Sequence, residues 1–550
     1  MNFDYDVIVV GSGFGGSVMS CRLTEQGHKV CLLERGQEYP MHSFPRRLHD
    51  VKNKMFWDPK DNKFGYMEIR NTPDSDLMSV TASGLGGGSL IYANVLLPMP
   101  AEYFEWWPKP YTRELLDPFY AKVIDTMEAS PYPMNRPYYS DTTKTKNYRN
   151  LVNQLPKDSF TLKGPELLEP DLAIRFEGDF PGQQMKNKHG AIQSSCNKCG
   201  ECDVGCNIHA KNTLDLNYIF RAKNWKENPL EIRTRAEVFD IDVLDEGYRI
   251  HYRNPEDKNE THIISAKKVV LSMGAVHSPA MLLKWKKYGK LPNISDRIGE
   301  KWCGNGDLLG FAIDCDRDME PTNGPVITSA LKYQFESYPD KYPSALYLED
   351  AGVPIGVAWY LAGKMPSPDS ALETIKVTAS FLKNYVIKAL GIKDENEEIN
   401  LGDDFAKMLD KDTDFQKILI LLGMGKDRNS GKIKLRESDD EILIEWDIEP
   451  SRIHFDRTRK QMGHVAKALG GTFINNPLTH LDKIIAVHPL GGCTMGTSPE
   501  DSVVNTKGEV FGYDGLYVVD GSILPTSVGP NPSLSIAAVA EYIAQEWKND

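Results

Sequence analysis

A β-branched run, Asp6-Val7-Ile8-Val9-Val10, leads without a break into Gly11-Ser12-Gly13-Phe14-Gly15-Gly16, and no other stretch limits the fold so tightly. Such a run predicts a parallel strand buried on both faces. Residues 17–26 can continue as a helix, Gly27 ends it, and Lys29-Val30-Cys31-Leu32-Leu33 forms a second strand that stops at Glu34. Strand, G-x-G-x-x-G, helix, strand and acid within about 30 residues is a βαβ dinucleotide fingerprint. Gly11 allows the tight turn, Gly13 lets the backbone approach a pyrophosphate, and Gly16 lets helix and strand pack closely. The helix N-terminus offers free N–H groups to the phosphates. Glu34 is placed to accept hydrogen bonds from ribose hydroxyls, and an acid there disfavours NADP. NAD and FAD both satisfy the pattern.

Other stretches share this character. Gly84-Leu85-Gly86-Gly87-Gly88-Ser89 precedes Leu90-Ile91-Tyr92-Ala93-Asn94, and so many glycines cost chain entropy unless the backbone must come very close to something. Lys267 through Leu271 reads as a buried strand ending in Ser272-Met273-Gly274-Ala275, and Leu516-Tyr517-Val518-Val519 runs into Asp520-Gly521-Ser522. The nucleotide-binding part is therefore expected to be assembled from distant pieces of the chain. At 550 residues, either two large domains or one nucleotide core with a big insertion is expected.

Charge and composition exclude several classes. With 64 Lys+Arg against 77 Asp+Glu the net charge is −13, which disfavours nucleic acid as a partner. The longest apolar runs, such as Ile418 to Met424, fall far below the roughly 20 residues of a membrane span. The N-terminus lacks the basic and apolar regions of a signal peptide, and nine cysteines without an export signal argue against a disulfide framework. A cytoplasmic location is the expectation.

Five motifs in order carry a family resemblance: 11–16 with Glu34; 84–94; Ser272-Met273-Gly274-Ala275 with Ser278-Pro279; His488-Pro489-Leu490-Gly491-Gly492-Cys493; and Asp520-Gly521-Ser522 followed by Ser527-Val528-Gly529-Pro530-Asn531-Pro532-Ser533. Together the chain resembles the glucose–methanol–choline flavin oxidoreductases, particularly their cholesterol-oxidase-like branch. The resemblance implies an α/β fold: a Rossmann-type FAD-binding domain built from discontinuous segments, plus an α+β substrate domain with a mixed or antiparallel sheet. It places FAD binding in 1–306 and 480–550, with insertions near 46–78 and 100–230, and most of the substrate domain in 307–479. It also puts Gly11, Gly13, Phe14, Gly15 and Gly16 on the pyrophosphate and Glu34 on the adenosine ribose. Gly84, Gly86, Gly87, Gly88, Ser89 and Asn94 lie along the flavin by the same analogy, and Val238 meets the adenine through backbone. Gly274, Asp520, Gly521 and Pro532 complete the implied cofactor set.

Flavin-dependent alcohol oxidation removes a hydride from carbon and the hydroxyl proton to a base. A side chain with a pKa near neutrality suits the base, which favours histidine. The resemblance selects His488 for that role and Asn531 to hold the substrate oxygen as charge develops on it. Pro489, Pro530 and Pro532 stiffen both loops. Sterol-oxidising relatives also use a carboxylate, which no motif locates here; Glu349 and Asp350 are candidates by position alone. His277, His454, His464 and His480 read as packing or surface residues.

Cys196, Cys199, Cys202 and Cys206 stand in a C-x2-C-x2-C-x3-C run, the ferredoxin-type spacing, though Asn207 replaces the usual following proline. A 4Fe–4S cluster, a four-thiolate zinc site and a metal-free loop are the three readings. A cluster would pass electrons singly to an acceptor protein, which favours a dehydrogenase over an oxidase. The expected substrate is a bulky, mostly apolar secondary alcohol such as a sterol. A sugar or polyol on the same scaffold, or a redox-neutral isomerisation of a 3-oxo steroid, are the alternatives. Residues 371–392 predict an amphipathic helix, and 403–417 a charged, solvated segment.

Overall fold

The computed structural model describes residues 2–46, 48–73, 75–156, 161–338, 342–352, 415–476 and 483–547. The helix expected at 371–392, most of 403–417 and His480 lie outside the described residues.

The aliphatic runs become parallel neighbours in a seven-stranded sheet. Tyr5–Val10 pairs with Val30–Leu33 on one side, Val9 opposite Leu32, and with Thr261–Leu271 on the other, Val9 opposite Val270. Glu231–Arg233 lies parallel beyond Val30–Leu33. The long strand Thr261–Leu271 is shared: its last residues pair in parallel with Leu516–Val518, while its first residues pair antiparallel with Tyr248–Arg253. Glu237–Val243 closes that edge. Residues 7–10 and 30–33 are all buried, as their unalternating hydrophobicity requires.

Five parallel strands thus end at one edge. Gly11 N–H donates to Leu33 O, Ser272 N–H to Val10 O, Val519 N–H to Leu271 O and Glu34 N–H to Arg233 O, so four distant segments leave the sheet side by side. Ligands of open parallel sheets bind outside the carboxyl ends of the strands.

The helix Phe14–Glu25 is locked to the C-terminal helix Ser533–Glu546 by a buried ion pair. Arg22 Nε donates to both Glu541 oxygens at 3.0 and 2.9 Å, and Tyr218 Oη donates to Glu541 at 2.9 Å. Burial alone would push the Glu541 pKa up; Arg22 and Lys122 hold it below the ordinary value.

The second sheet is six-stranded and antiparallel throughout, in the order Thr472–Asn475, Leu308–Ile313, Leu419–Gly425, Tyr342–Ala351, Ala330–Tyr338, Thr161–Leu168. Thr161–Leu168, which lies within the insertion near 100–230, forms the edge of this sheet, with Leu167 and Leu168 paired to Leu331 and Ala330. The helix Arg452–Ala468 packs on the sheet where Gly423 leaves room: a Cβ there would sit 2.3 Å from Thr458 Cγ2.

A three-stranded sheet joins the two parts. Ile484–Ala486 runs parallel to Leu77–Ala82, which pairs antiparallel with Met67–Asn71. Parallel strands leave a sheet at the same end, so the glycine loop after Ala82 and the His488 segment after Ala486 emerge together. No helix among the described residues is long and apolar enough to cross a membrane.

Removing one member of a buried pair strands the other charge, a loss of about 3–5 kcal/mol. Glu541→Ala should therefore lower the thermal midpoint sharply, followed by circular dichroism. An unchanged midpoint would show the helix contact to be dispensable.

Candidate active site

At the carboxyl edge of the parallel sheet, glycines serve two different purposes. Added Cβ atoms at Gly11, Gly15 and Gly16 would lie 2.3 Å from Ser272 O, 1.8 Å from Val519 O and 1.9 Å from Gly11 O, so these glycines let chain segments touch. A Cβ on Gly87 would lie 2.6 Å from Gly13 Cα, which brings the second glycine loop against the first. By contrast, Gly13, Gly88 and Gly274 have no heavy atom within 4 Å of an added Cβ. These three border open space, a cradle a pyrophosphate-bearing cofactor fits.

The polar residues nearby complete the picture. Asn94 is fully buried at φ 71°, and neither its Oδ1 nor its Nδ2 has a hydrogen-bond partner. A buried amide with no partner marks a place where another group belongs, and FAD along the 84–94 loop fits it. Phe14 stands edge-on to Tyr92 with ring centroids 5.5 Å apart, and Ser89 Oγ donates to Gly86 O and accepts from Leu214 N–H. Asp520 collects Gly274 N–H and Ser278 Oγ on one oxygen and Ser522 N–H and Oγ on the other. Gly521 O accepts from Gly491 N–H, tying this turn to the His488 loop, and Pro532 caps the helix Ser533–Glu546.

Glu34 is also engaged within the chain. Its carboxylate accepts from Ser12 N–H at 3.1 Å, Ser12 Oγ at 2.6 Å, Gly36 N–H at 2.9 Å and Gly84 N–H at 3.1 Å. Those four donors fill the acceptor sites of a carboxylate. Glu34 thus fastens the two glycine loops together, and a ribose hydroxyl would have to share or displace one of these bonds. Val238 lies nearby: Arg235 N–H donates to Gly36 O and Ala236 N–H to Glu34 O, and the strand register slips just after Val238.

The structure brings His488 and Asn531 to one region and adds three residues. His488 Nδ1 lies 2.8 Å from Asp307 Oδ1, and Asp307 Oδ2 accepts from Val487 and His488 N–H. Asn531 is buried with Oδ1 unpartnered. Alternation along Tyr342–Ala351 separates the two candidate carboxylates. Asp350 is consumed by Lys144 at 2.7 Å, Thr328 and Ser329. Glu349 is fully buried on the other face with both oxygens unpartnered. Burial pushes its pKa well above the ordinary value; the neighbouring Asn531 amide opposes the rise, and Asp350, Asp307 and Asp203 add to it. Asp203, pushed up to about 6 by burial, feels the charges of Lys211 and His488. No motif marked Glu349, Asp307 or Asp203; only three-dimensional proximity to His488 and Asn531 does.

GMC oxidoreductase domains match residues 181–294 and 427–540, and an NAD(P)-binding Rossmann-like domain matches residues 9–62. The chain belongs to the GMC oxidoreductase family. The 427–540 match carries both His488 and Asn531. A cholesterol oxidase from Acinetobacter baumannii is 25% identical over 98% of this chain and 94% of its own length. A cholesterol oxidase from Mycobacterium tuberculosis (strain ATCC 25618 / H37Rv) is 27% identical over 100% and 92%. The gluconate 2-dehydrogenase flavoprotein of Pantoea cypripedii is 22% identical over 98% and 93%. Pyridoxine 4-oxidase from Mesorbium loti shares the fold, at TM-score 0.62 and 16% identity over 99% of both chains. This GMC protein is an oxidoreductase, and FAD is the cofactor that its family and its Rossmann-like domain imply.

The cysteine loop does not form the ligand set its spacing suggested. Among the described residues no group of three or more His, Cys, Asp or Glu side chains is placed to hold a metal. All four cysteines are free thiols. Burial drives the Cys196 and Cys199 thiols upward and Cys202 up to about 11, with the neighbouring thiols adding to the rise. Cys196 belongs to an apolar cluster with Tyr132, Tyr139 and Phe176, against which Cys202 and Cys206 pack. The loop backbone is held by the chain itself: Tyr139 Oη donates to Cys196 O, Tyr66 Oη to Val204 O, and Lys211 Nζ to Cys202 O. Lys211 is also bonded to Leu90 O and Tyr92 O, so it stitches this loop to the 84–94 loop. The side chains present therefore fit neither a cluster nor zinc.

Because Glu349 keeps a proton that the unfolded chain releases near 4.5, its contribution is complete below that pH and is lost as pH rises through the folded pKa. Glu349→Gln removes this titration. Its thermal midpoint should exceed the parent's by a margin that grows from about pH 5 to about pH 9; a constant margin would show that Glu349 does not titrate late.

Proposed function

We propose that this GMC oxidoreductase uses FAD to oxidise a bulky, mostly apolar secondary alcohol, with sterols the leading class. The observation that carries the reading is the meeting of His488, backed by Asp307, with Asn531 and the unpartnered Glu349 beside the 84–94 loop. Full-length similarity to proteins named cholesterol oxidase supports the substrate class.

Gly13, Gly88, Gly274 and Asn94 would hold FAD, which when bound supplies the hydride acceptor. The chain's own residues handle the proton and the oxygen. His488 Nε2 takes the hydroxyl proton, and Asn531 holds the oxygen as negative charge grows on it. Glu349, kept neutral by burial, gives the pocket a second proton-bearing group without adding a charge that would repel an alkoxide. We assign FAD binding to 1–306 and 480–550 and most of the substrate surface to 307–479, with Thr161–Leu168 added to the latter. A polyol is the second reading, favoured by the two carboxyls Glu349 and Asp203 near His488, which could bind further hydroxyls.

Anaerobic mixing of the FAD-loaded protein with sterols, long-chain alcohols and aldoses tests the assignment. Bleaching by sterols first is expected; bleaching by aldoses alone would select the polyol reading, and product without bleaching would select isomerisation. His488→Ala should keep its FAD and slow bleaching about 100-fold or more. Asn531→Ala should cost about 2–4 kcal/mol in the same step. Unchanged rates in either variant would remove that residue from the chemistry.

A further inference from the structure

The loops that bear His488 and Asn531 are both hung on one tripeptide, Asn305-Gly306-Asp307. Asn305 Oδ1 accepts from Val528 N–H at 2.9 Å and Gly529 N–H at 3.1 Å, while its Nδ2 donates to Gly529 O at 3.3 Å and Pro530 O at 3.0 Å. One amide thus holds the whole turn that delivers Asn531. Two residues on, Asp307 accepts from the Val487 and His488 N–H groups at 2.7 and 3.0 Å through Oδ2, and faces His488 Nδ1 through Oδ1.

The tripeptide is itself held from several sides. Asp427 accepts from Gly304 N–H at 2.9 Å, Gly425 N–H donates to Asn305 O, and His454 Nε2 bonds Gly306 O at 2.8 Å. Burial lowers the His454 pKa to about 4, so it stays neutral and donates. At Gly306 (φ +69°) a Cβ would lie 2.5 Å from His454 Nε2, so a side chain there would break the contact.

We propose that Asp307 is the positioning residue that holds His488 in its Nδ1–H tautomer, and that Asn305 and Asp307 together set the spacing of the catalytic pair. Backbone N–H groups can only donate, so Oδ2 must accept twice. An ionised carboxylate has no proton to give, so Oδ1 also accepts, and Nδ1 must carry the hydrogen. The Nε2 lone pair is then left for the substrate hydroxyl, and no described residue is bonded to it. When His488 gains the proton, the Asp307 carboxylate stabilises the imidazolium. Among the described residues, the titratable groups around Asp307 and His488 include Glu349, Asp203, Asp427, His454 and Cys303.

The catalytic part of this inference rests on His488 being the base, and the tests separate the two claims. In the FAD-loaded full chain, nitrogen-15 NMR of labelled histidine should show His488 protonated at Nδ1 and bare at Nε2. The reverse would overturn the proposal without any variant. Asp307→Asn has only one accepting oxygen. Kept on the two backbone N–H groups, it turns its NH2 toward Nδ1 and forces the hydrogen onto Nε2. The variant should retain FAD, show the inverted tautomer, and lose about 10²–10⁴-fold in kcat with KM little changed. Retained kcat with an inverted tautomer would overturn the positioning role, and so would an unaltered tautomer. If His488→Ala bleaches normally, the base assignment fails instead, while the tautomer measurement still decides what Asp307 does.

Discussion

Carboxylates that never see bulk water hold this site together. Glu34 joins the two glycine loops, Asp520 joins the C-terminal turn to the segment after Leu271, and Asp307 joins the His488 loop to the second sheet. Each collects two or three backbone N–H donors on a buried carboxyl group. Such charge-assisted bonds are stronger than neutral ones, and leaving the anion unpaired would be very costly. Each joint therefore closes fully or not at all, which gives loops from distant parts of the chain a defined relative position.

Glu349 and Asp203 form the counterpoint. They are buried carboxyls as well, but Glu349 has no hydrogen-bond partner on either oxygen and Asp203 has none on Oδ1. A fold that satisfies some buried carboxylates completely and leaves others open beside His488 separates its scaffold from its chemistry. Perturbed, unpaired acids in a site are where function is expected.

The cysteine run shows how spacing can mislead. Four thiols in a C-x2-C-x2-C-x3-C pattern satisfy the linear requirement for a cluster, yet metal binding needs thiolates converging on a point. Here the loop is shaped by other demands: its carbonyls bond Tyr139, Tyr66 and Lys211, and burial pushes the Cys196, Cys199 and Cys202 thiols upward. What the loop does bring to the site is Asp203, a residue the pattern never marked.

Read alone, the sequence determined the elements whose cause is local. The run 6–10, the glycines after it and Glu34 specify strand, turn, helix and strand within one short stretch, because hydrophobic period and glycine conformation act between near neighbours. His488 and Asn531 were legible only through the family resemblance of the motifs that carry them; their prolines and glycines stiffen the loops but do not mark either residue. Tertiary structure alone decided which carboxylates are bonded between segments and which are left without a partner. Glu349 and Asp350 are chain neighbours of the same acid type, and strand alternation sends one to Lys144 and the other to Asn531. Whether Asp307 meets His488, or Thr161–Leu168 joins the second sheet, depends on contacts between segments far apart in the chain. Local pattern carries no record of such contacts, because burial and pairing are properties of the assembled fold.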